Sequence, residues 1–278
     1  MGGPGAVARK ERVEVDGTSL SYLRSGNPSA EPLLLVHGTF WSRVWAPVLP
    51  ALGRSFSCFA LDLPGFGLSD GELDVESATV PALAETVVRA ADALNLGSFH
   101  LAGHDIGGGI AQHVTATTGR VRRLVLLNAV MFDSWPVPAV ERFRDPQVRA
   151  ATTVPQLLAA RETATRRSVV RPLSDAEVAD YLTPWHDPAR ARSWMALAAA
   201  ADARYTLDLV PRLVEAAVPT RLVWGRDDEF QKVEFARRYV AEIPGSDLVE
   251  VPGKHIPTED SPAEVAEAIL GHLTRPAR

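Results

Sequence analysis

Apolar and polar positions along this chain fall into two rhythms. Glu11–Val15 and Thr18–Leu23 alternate residue by residue around Asp16-Gly17, the pattern of two short strands joined by a hairpin turn. Short, largely apolar runs follow at Pro32–Val36, Phe56–Leu61, Phe99–Ala102 and Val121–Asn128. Runs of this length suit strands buried on both faces of a parallel sheet. Between them stand segments with helical spacing: Trp45–Leu52, then Thr79–Leu94 with Val80, Leu83, Val87, Val88, Ala91 and Leu94 on one face, then Ile106–Thr118. Buried strand alternating with amphipathic helix predicts an α/β fold, a mostly parallel sheet with helices on both faces.

The rhythm breaks after Met131. As far as about Ala217 there is no strand signal, only helical segments at Pro155–Arg166, Ser174–Leu182 and Arg190–Arg204 set among prolines and arginines. Strands resume at Thr220–Trp224 and Asp247–Val251, with helices at Val233–Glu242 and Ser261–Leu273. An insertion of roughly 80 residues carrying its own helices is better called a cap than a loop. The expected organisation is a core over 11–130 and 218–275, a helical cap over 131–217, and a disordered lead over 1–10.

Composition narrows the partners. The 278 residues carry a net charge of −5, and there is no basic stripe to read nucleic acid. Cys58 is the single cysteine, so no internal disulfide forms and a reducing, cytoplasmic setting is expected. No apolar run is long enough to span a bilayer, and Met1–Lys10 lacks the apolar stretch of a signal peptide. A small-molecule substrate is the expected partner, with no membrane or nucleic acid, no cofactor and no metal; a homodimer stays open.

The chemistry concentrates in Leu101–Gly108. Gly103-His104-Asp105-Ile106-Gly107 is a Gly-x-Asp-x-Gly elbow between strand and helix, with a carboxylate where serine usually stands. Two more residues follow predicted strands: Asp228 in Trp224-Gly225-Arg226-Asp227-Asp228, with Asp227 competing for its role, and His255 in Pro252-Gly253-Lys254-His255. Ligand sites of open α/β sheets lie beyond the carboxyl ends of the strands, so the three can converge.

These motifs, with His37-Gly38 and Asp62-x-Pro64-Gly65-x-Gly67-x-Ser69, resemble the α/β-hydrolase fold over roughly Val13 to Leu273. Within that fold an aspartate in the elbow resembles the epoxide hydrolases, haloalkane dehalogenases and fluoroacetate dehalogenases, which all pass through an ester of the aspartate. A carboxylate with a pKa near 4 is ionised at neutral pH and needs no base to attack an sp3 carbon. Attack on a carboxylic ester would give an anhydride, which argues against an ordinary esterase. The resemblance implies that Asp105 forms an alkyl ester, that His255 activates water to hydrolyse it, and that Asp228 orients His255. The backbone N–H groups of Ile106 and of Thr39 or Phe40 would hold the oxyanion. Asp62, Ser69 and His37 read as loop braces, and His104 as packing beneath the elbow.

Departures from the family patterns choose among substrates. Thr39 and Ile106 replace the Asn and Trp that hold halide in haloalkane dehalogenases, and Ile106 also replaces the carboxylate-binding Arg of fluoroacetate dehalogenases. Epoxide hydrolases use two cap tyrosines as proton donors; Tyr181 and Tyr205 are the candidates here. Trp135, Trp185 and His186 are further donor or pocket candidates, and Phe40, Trp41 and Phe132 are candidates for an apolar wall. The expectation is an epoxide hydrolase acting on a neutral, bulky substrate. The alternatives are a haloalkane-type dehalogenase, and cofactor-free lyase or isomerase chemistry with Asp105 as base. A non-catalytic receptor fits less well, because Asp105, Asp228 and His255 are all present.

Overall fold

The computed structural model describes residues 8–275. Its frame is one eight-stranded sheet. β1 (Arg9–Val15) and β2 (Thr18–Ser25) form an antiparallel hairpin, with Asp16 and Gly17 at φ 48° and 78°. Positive φ at both positions is what a two-residue turn matching the strand twist requires. β2 pairs antiparallel with β4 (Ser57–Leu61). From there the sheet is parallel through β3 (Pro32–Val36), β5 (Phe99–His104), β6 (Val121–Leu127), β7 (Thr220–Gly225) and β8 (Ser246–Val251), in the order β1-β2-β4-β3-β5-β6-β7-β8. Every residue of β4, β5 and β7 is buried. Side chains alternate across a strand, so both faces of the sheet are covered.

The strand order turns round at β3. The chain leaves β3 for β4 on one side and later enters β5 on the other. That reversal opens a crevice at the carboxyl ends of β3 and β5, and the residues that follow these two ends include Thr39 and Asp105. Core helices are α1 (Val80–Ala93), capped by the Thr79 side chain, and α2 (Ile106–Thr118) packed beside it. Between β6 and β7 come α3 (Val154–Arg167), α4 (Asp175–Leu182) and α5 (Pro188–Ala199). α6 (Val233–Glu242) and α7 (Pro262–Leu273) complete the core. α3 and α4 both open on capping boxes, Thr153 with Gln156 and Ser174 with Glu177, which satisfy first-turn donors reciprocally.

The inserted segment is tied to the core by a buried carboxylate. Glu259, in a short helix after β8 (Pro257–Asp260), accepts from Arg43 at 2.7 Å, Arg171 at 2.5 Å and the Tyr181 hydroxyl at 2.9 Å. Arg171 and Tyr181 belong to the insertion and Arg43 to the core, so one side chain joins the two.

Several expectations about elements change. Trp45–Leu52 is not one helix: a 3-10 turn at Ser42–Trp45 and a short helix at Leu49–Leu52 are separated because Pro47 and Pro50 interrupt the backbone bonding. The helix expected at Arg190–Arg204 starts earlier, at Pro188 behind the Asp187 cap, and ends at Ala199; Arg204–Leu207 is a separate turn. Short helices at Pro138–Glu141, Pro146–Ala151 and Val210–Ala216 span too few residues to show a period. Of the lead expected over 1–10, residues 1–7 lie outside the described residues, while Arg9 and Lys10 already belong to β1. Among the described residues no helix is long and apolar enough to cross a membrane.

Candidate active site

β5 delivers Asp105 at its carboxyl end, where the backbone passes from strand to helix in one residue. Asp105 has φ 55° and ψ −126°, and α2 begins at Ile106. This conformation is costly for a residue with a Cβ and persists only where the surroundings hold it. Here they do so by close approach: a Cβ on Gly107 would sit 2.4 Å from the His37 carbonyl oxygen. The Asp105 side chain does not cap α2. It turns toward the β3 loop, where Oδ2 accepts from the Thr39 N–H at 2.9 Å and the Thr39 hydroxyl at 2.7 Å. Among the described residues no hydrogen bond ends on Oδ1, so that oxygen keeps its lone pairs.

His255 stands behind the carboxylate. Its Nε2 is 3.9 Å from Asp105 Oδ2, and its Nδ1 is 2.9 Å from Asp228 Oδ2. Asp105, Asp228 and His255 are each less than a tenth exposed. Asp227, the competing acid, is exposed and does not pair with His255. His104 lies under the elbow, with Nε2 2.8 Å from the His255 carbonyl oxygen. Burial lowers its pKa to about 4, so the ring is neutral and donates there. His37 accepts the Leu63 N–H at 3.0 Å, and the Asp62 carboxylate accepts the Ser42 and Leu68 N–H groups. These are the hydrogen bonds of braces.

One residue of this cluster escaped the sequence reading. Asn128, fully buried just after β6, donates from Nδ2 to Asp228 Oδ2 at 2.7 Å and accepts the Gly225 N–H on Oδ1 at 2.9 Å. The Phe230 N–H reaches Asp228 Oδ1 at 2.7 Å. The signal was a polar residue closing an otherwise apolar strand. Asn128→Leu removes these two side-chain bonds and a third, from Nδ2 to the Lys254 carbonyl at 3.3 Å, and leaves the buried Gly225 N–H unpaired. Urea unfolding is expected to show a loss of about 2–3 kcal/mol; a loss below 0.5 kcal/mol would mean that Asn128 does not support Asp228 as its contacts suggest.

Charge in this cluster is self-consistent. Burial works against an ionised Asp105, but His255 and the Thr39 N–H outweigh it and hold the carboxyl below its ordinary range. Burial likewise disfavours an imidazolium, yet the Asp228 and Asp105 carboxylates outweigh it and raise His255 to about 10. Esterification of Asp105 would remove one of those two charges, so the His255 pKa would fall and the ring become a base only after the first step. A raised pKa stabilises the fold fully below the ordinary value of 6.5, and that contribution is lost as pH climbs to about 10. In Asp105→Asn the folded pKa of His255 falls, so the alkaline loss of stability, which sets in near 6.5 in both proteins, is expected to be smaller and to be complete at lower pH than in the wild type. NMR titration of His255 checks it; an unchanged His255 pKa would show that the two groups are not coupled.

The oxyanion donors sort themselves by geometry. Thr39 supplies the N–H on Asp105 Oδ2, and Phe40 lines the cavity beside it. The Ile106 nitrogen lies close by, since a Cβ placed on Gly38 would be 2.5 Å from it and 2.7 Å from Asp105 Oδ2. As a first-turn N–H of α2 it has no helical acceptor.

Above Asp105 lies a cavity of about 300 Å³ with mainly apolar walls. Core residues Thr39, Phe40, Ile106, Phe230 and His255 form the floor, and Trp135, Val140, Phe143, Leu157, Arg161 and Trp194 come from the insertion. Most of the donors expected from the sequence are elsewhere. The Tyr181 hydroxyl is spent on Glu259, and Tyr205 is a half-buried residue off the cavity wall. Trp185 is buried behind the wall, His186 is exposed, Trp41 donates its indole N–H to the Tyr181 carbonyl, and Phe132 packs on Tyr239. None of these six lines the cavity. Trp135 does, but its N–H goes to the Thr206 hydroxyl at 2.8 Å. The wall also holds Trp194, whose N–H reaches the Thr39 carbonyl at 3.1 Å, and Arg161, neither of which was among the expected pocket residues. Among the described residues no three His, Cys, Asp or Glu side chains are grouped to hold a metal ion.

Residues 33–268 match the alpha/beta hydrolase family. Haloalkane dehalogenase 2 of Mycobacterium tuberculosis is 30% identical over 264 residues, covering 90% of each chain. Among solved structures, an alpha/beta hydrolase fold protein from Burkholderia ambifaria superposes with a TM-score of 0.84 at 28% identity, over 94% of this chain and 97% of that one. Haloalkane dehalogenase DbeA from Bradyrhizobium elkani superposes with a TM-score of 0.79 at 24% identity, over 95% and 97% of the two chains. At that identity the last likeness is one of fold.

Proposed function

The chain belongs to the alpha/beta hydrolase family, and from that premise we propose that it opens epoxides of neutral, bulky substrates through an ester of Asp105. The observation that carries the mechanism is the unequal treatment of the two carboxylate oxygens. Oδ2 is anchored by Thr39 while Oδ1 is free. Oδ1 attacks the ring carbon, the C–O bond of the epoxide breaks, and its electron pair stays on the departing oxygen. The ester carbonyl oxygen then sits where Thr39 and Ile106 donate. Water attacks the ester carbon, giving its proton to His255, whose imidazolium Asp228 stabilises. On collapse the bond between the Asp105 carboxyl carbon and the substrate oxygen breaks, the leaving oxygen takes the proton of the added hydroxyl, the diol departs, and the proton left on His255 balances the one taken up by the first alkoxide. A mostly apolar cavity of about 300 Å³ suits a substrate of that kind.

Carbon–halogen hydrolysis is the second reading, favoured by the 30% identity to a protein named haloalkane dehalogenase. Against it stands the wall of the cavity: both indole N–H groups there, of Trp135 and Trp194, are donated to protein acceptors. No pair of neutral N–H donors is left to converge on a halide. Multiple turnovers of an epoxide panel in heavy-oxygen water should place label in the Asp105 carboxylate. Turnover with an unlabelled Asp105 would point to direct attack by water and end the ester reading. Halide release from a matched haloalkane panel, with no diol from epoxides, would select the second.

A further inference from the structure

Arg161 is out of place for an apolar wall. It projects from α3 into the cavity and is only 5% exposed. A buried guanidinium is costly unless an anion pairs with it, and among the described residues Arg161 is in no ion pair. Its neighbours are the ring faces of Phe40, Trp185 and Trp194, with ring centres 4.5, 4.8 and 5.0 Å from its central carbon. Such faces hold a cation in place without neutralising it. One N–H, on Nη2, goes to the Thr39 carbonyl at 2.8 Å, while the Nε–H is buried and has no acceptor. Burial lowers its pKa only to about 10, so it stays cationic at neutral pH. Of the other cations at the cavity, the His255 imidazolium is paired with Asp228, and Arg142 is exposed and solvated.

Thr39 sets the spacing. Its N–H and hydroxyl hold Asp105 Oδ2, and its carbonyl holds Arg161. Nucleophile and cation are therefore bound to the two sides of one residue, and both line the same cavity with no ion pair between them.

We propose that Arg161 binds the atom that leaves the substrate carbon as Asp105 attacks, donating to the alkoxide of an opened epoxide or to a departing halide. The inference rests on the Asp105 ester reading and supplies the donor that Tyr181 and Tyr205 do not. As Oδ1 forms its bond to carbon, the electron pair of the breaking bond moves onto the departing atom, which comes to lie against the guanidinium. The resting enzyme then carries a vacant donor, which an inorganic anion can also fill.

The test follows the first chemical step alone. His255→Gln should accumulate the Asp105 adduct from neutral aryl epoxides and 1-haloalkanes, read by intact mass over time. Adding Arg161→Gln should slow accumulation about 100-fold for epoxides, and less for 1-iodoalkanes, whose departing atom is less basic. Arg161→Lys should restore part of the rate. Equal rates with and without Arg161, or a loss independent of the departing atom, would overturn the proposal and leave the ester reading intact. A change confined to epoxides bearing a carboxylate would replace it with a carboxylate subsite. No adduct in His255→Gln itself, across the whole panel, would remove the ester reading and Arg161's role with it. A wild-type measurement guards against misfolded variants. Iodide should quench tryptophan fluorescence saturably, through Trp185 and Trp194, and compete with epoxide substrate; quenching that is only linear in iodide, without competition, would overturn the proposal.

Discussion

His255→Gln should still attack its substrate and then stop. Asp105 is ionised without help from His255 as a base, and its anchored oxygen does not touch the histidine within hydrogen-bond range. The first step therefore survives the substitution, while the second loses its only base. Turnover should fall on the order of 10⁴–10⁶-fold, the usual consequence of removing a member of such a unit. Electrospray of the intact protein should show a stoichiometric increase equal to the substrate mass, and peptide mapping should place it on Asp105. Glutamine keeps a hydrogen-bonding side chain beside Asp228, so the fold should be retained. Sustained turnover with no adduct would show that Asp105 is not the nucleophile.

Gly38→Ala should also be damaging, although Gly38 has no side chain to contribute. Its added Cβ would lie 2.5 Å from the Ile106 nitrogen, 2.7 Å from Asp105 Oδ2 and 2.8 Å from Asp105 Cβ. These are backbone and a short, anchored side chain, with no flexible end that can swing away. The methyl would push Oδ2 off Thr39 and spoil the place where the ester oxyanion forms. A loss of about 10²–10³ in kcat is expected, with about 1–3 kcal/mol of stability lost to overpacking. Gly119→Ala is the matched control. Gly119 ends α2 at φ 63° with nothing within 4 Å of a built Cβ, so it should cost stability through backbone strain and leave kcat unchanged. Equal kcat in Gly38→Ala and wild type would remove the Thr39–Ile106 pocket from the mechanism.

The alternation of buried runs and amphipathic segments made the sheet and its core helices legible, because each strand is buried on both faces and each long helix shows its period. The elbow was legible because only glycines tolerate the approach of α2 to the β3 loop. Short-range geometry was not. Asn128 looked like the end of a strand, and its role depends on Asp228 a hundred residues away. In the cap, residue type misled the search for a donor. Tyrosine and tryptophan were sought for their O–H and N–H groups, but those of Tyr181 and Trp135 are consumed by Glu259 and Thr206. Arg161 was passed over because arginine on a helix is usually solvated. Only the tertiary arrangement of Phe40, Trp185 and Trp194 around it shows otherwise.

The chemistry and the shape of the cavity sit on different stretches of chain. Asp105, Asp228, His255, Asn128 and Thr39 follow strands of the core, whereas Leu157, Ala160, Arg161, Ala164 and Ser168 line the cavity from one face of α3 and the residue after it. Those five positions recur at helical spacing, and only Arg161 among them touches Thr39. Exchanging Ala160 or Ala164 for larger or smaller residues would resize the cavity without moving an atom of the reacting cluster. In an evolving lineage the preferred substrate can then drift quickly while the reaction stays the same, and a library confined to α3 is the shortest route to retargeting this enzyme.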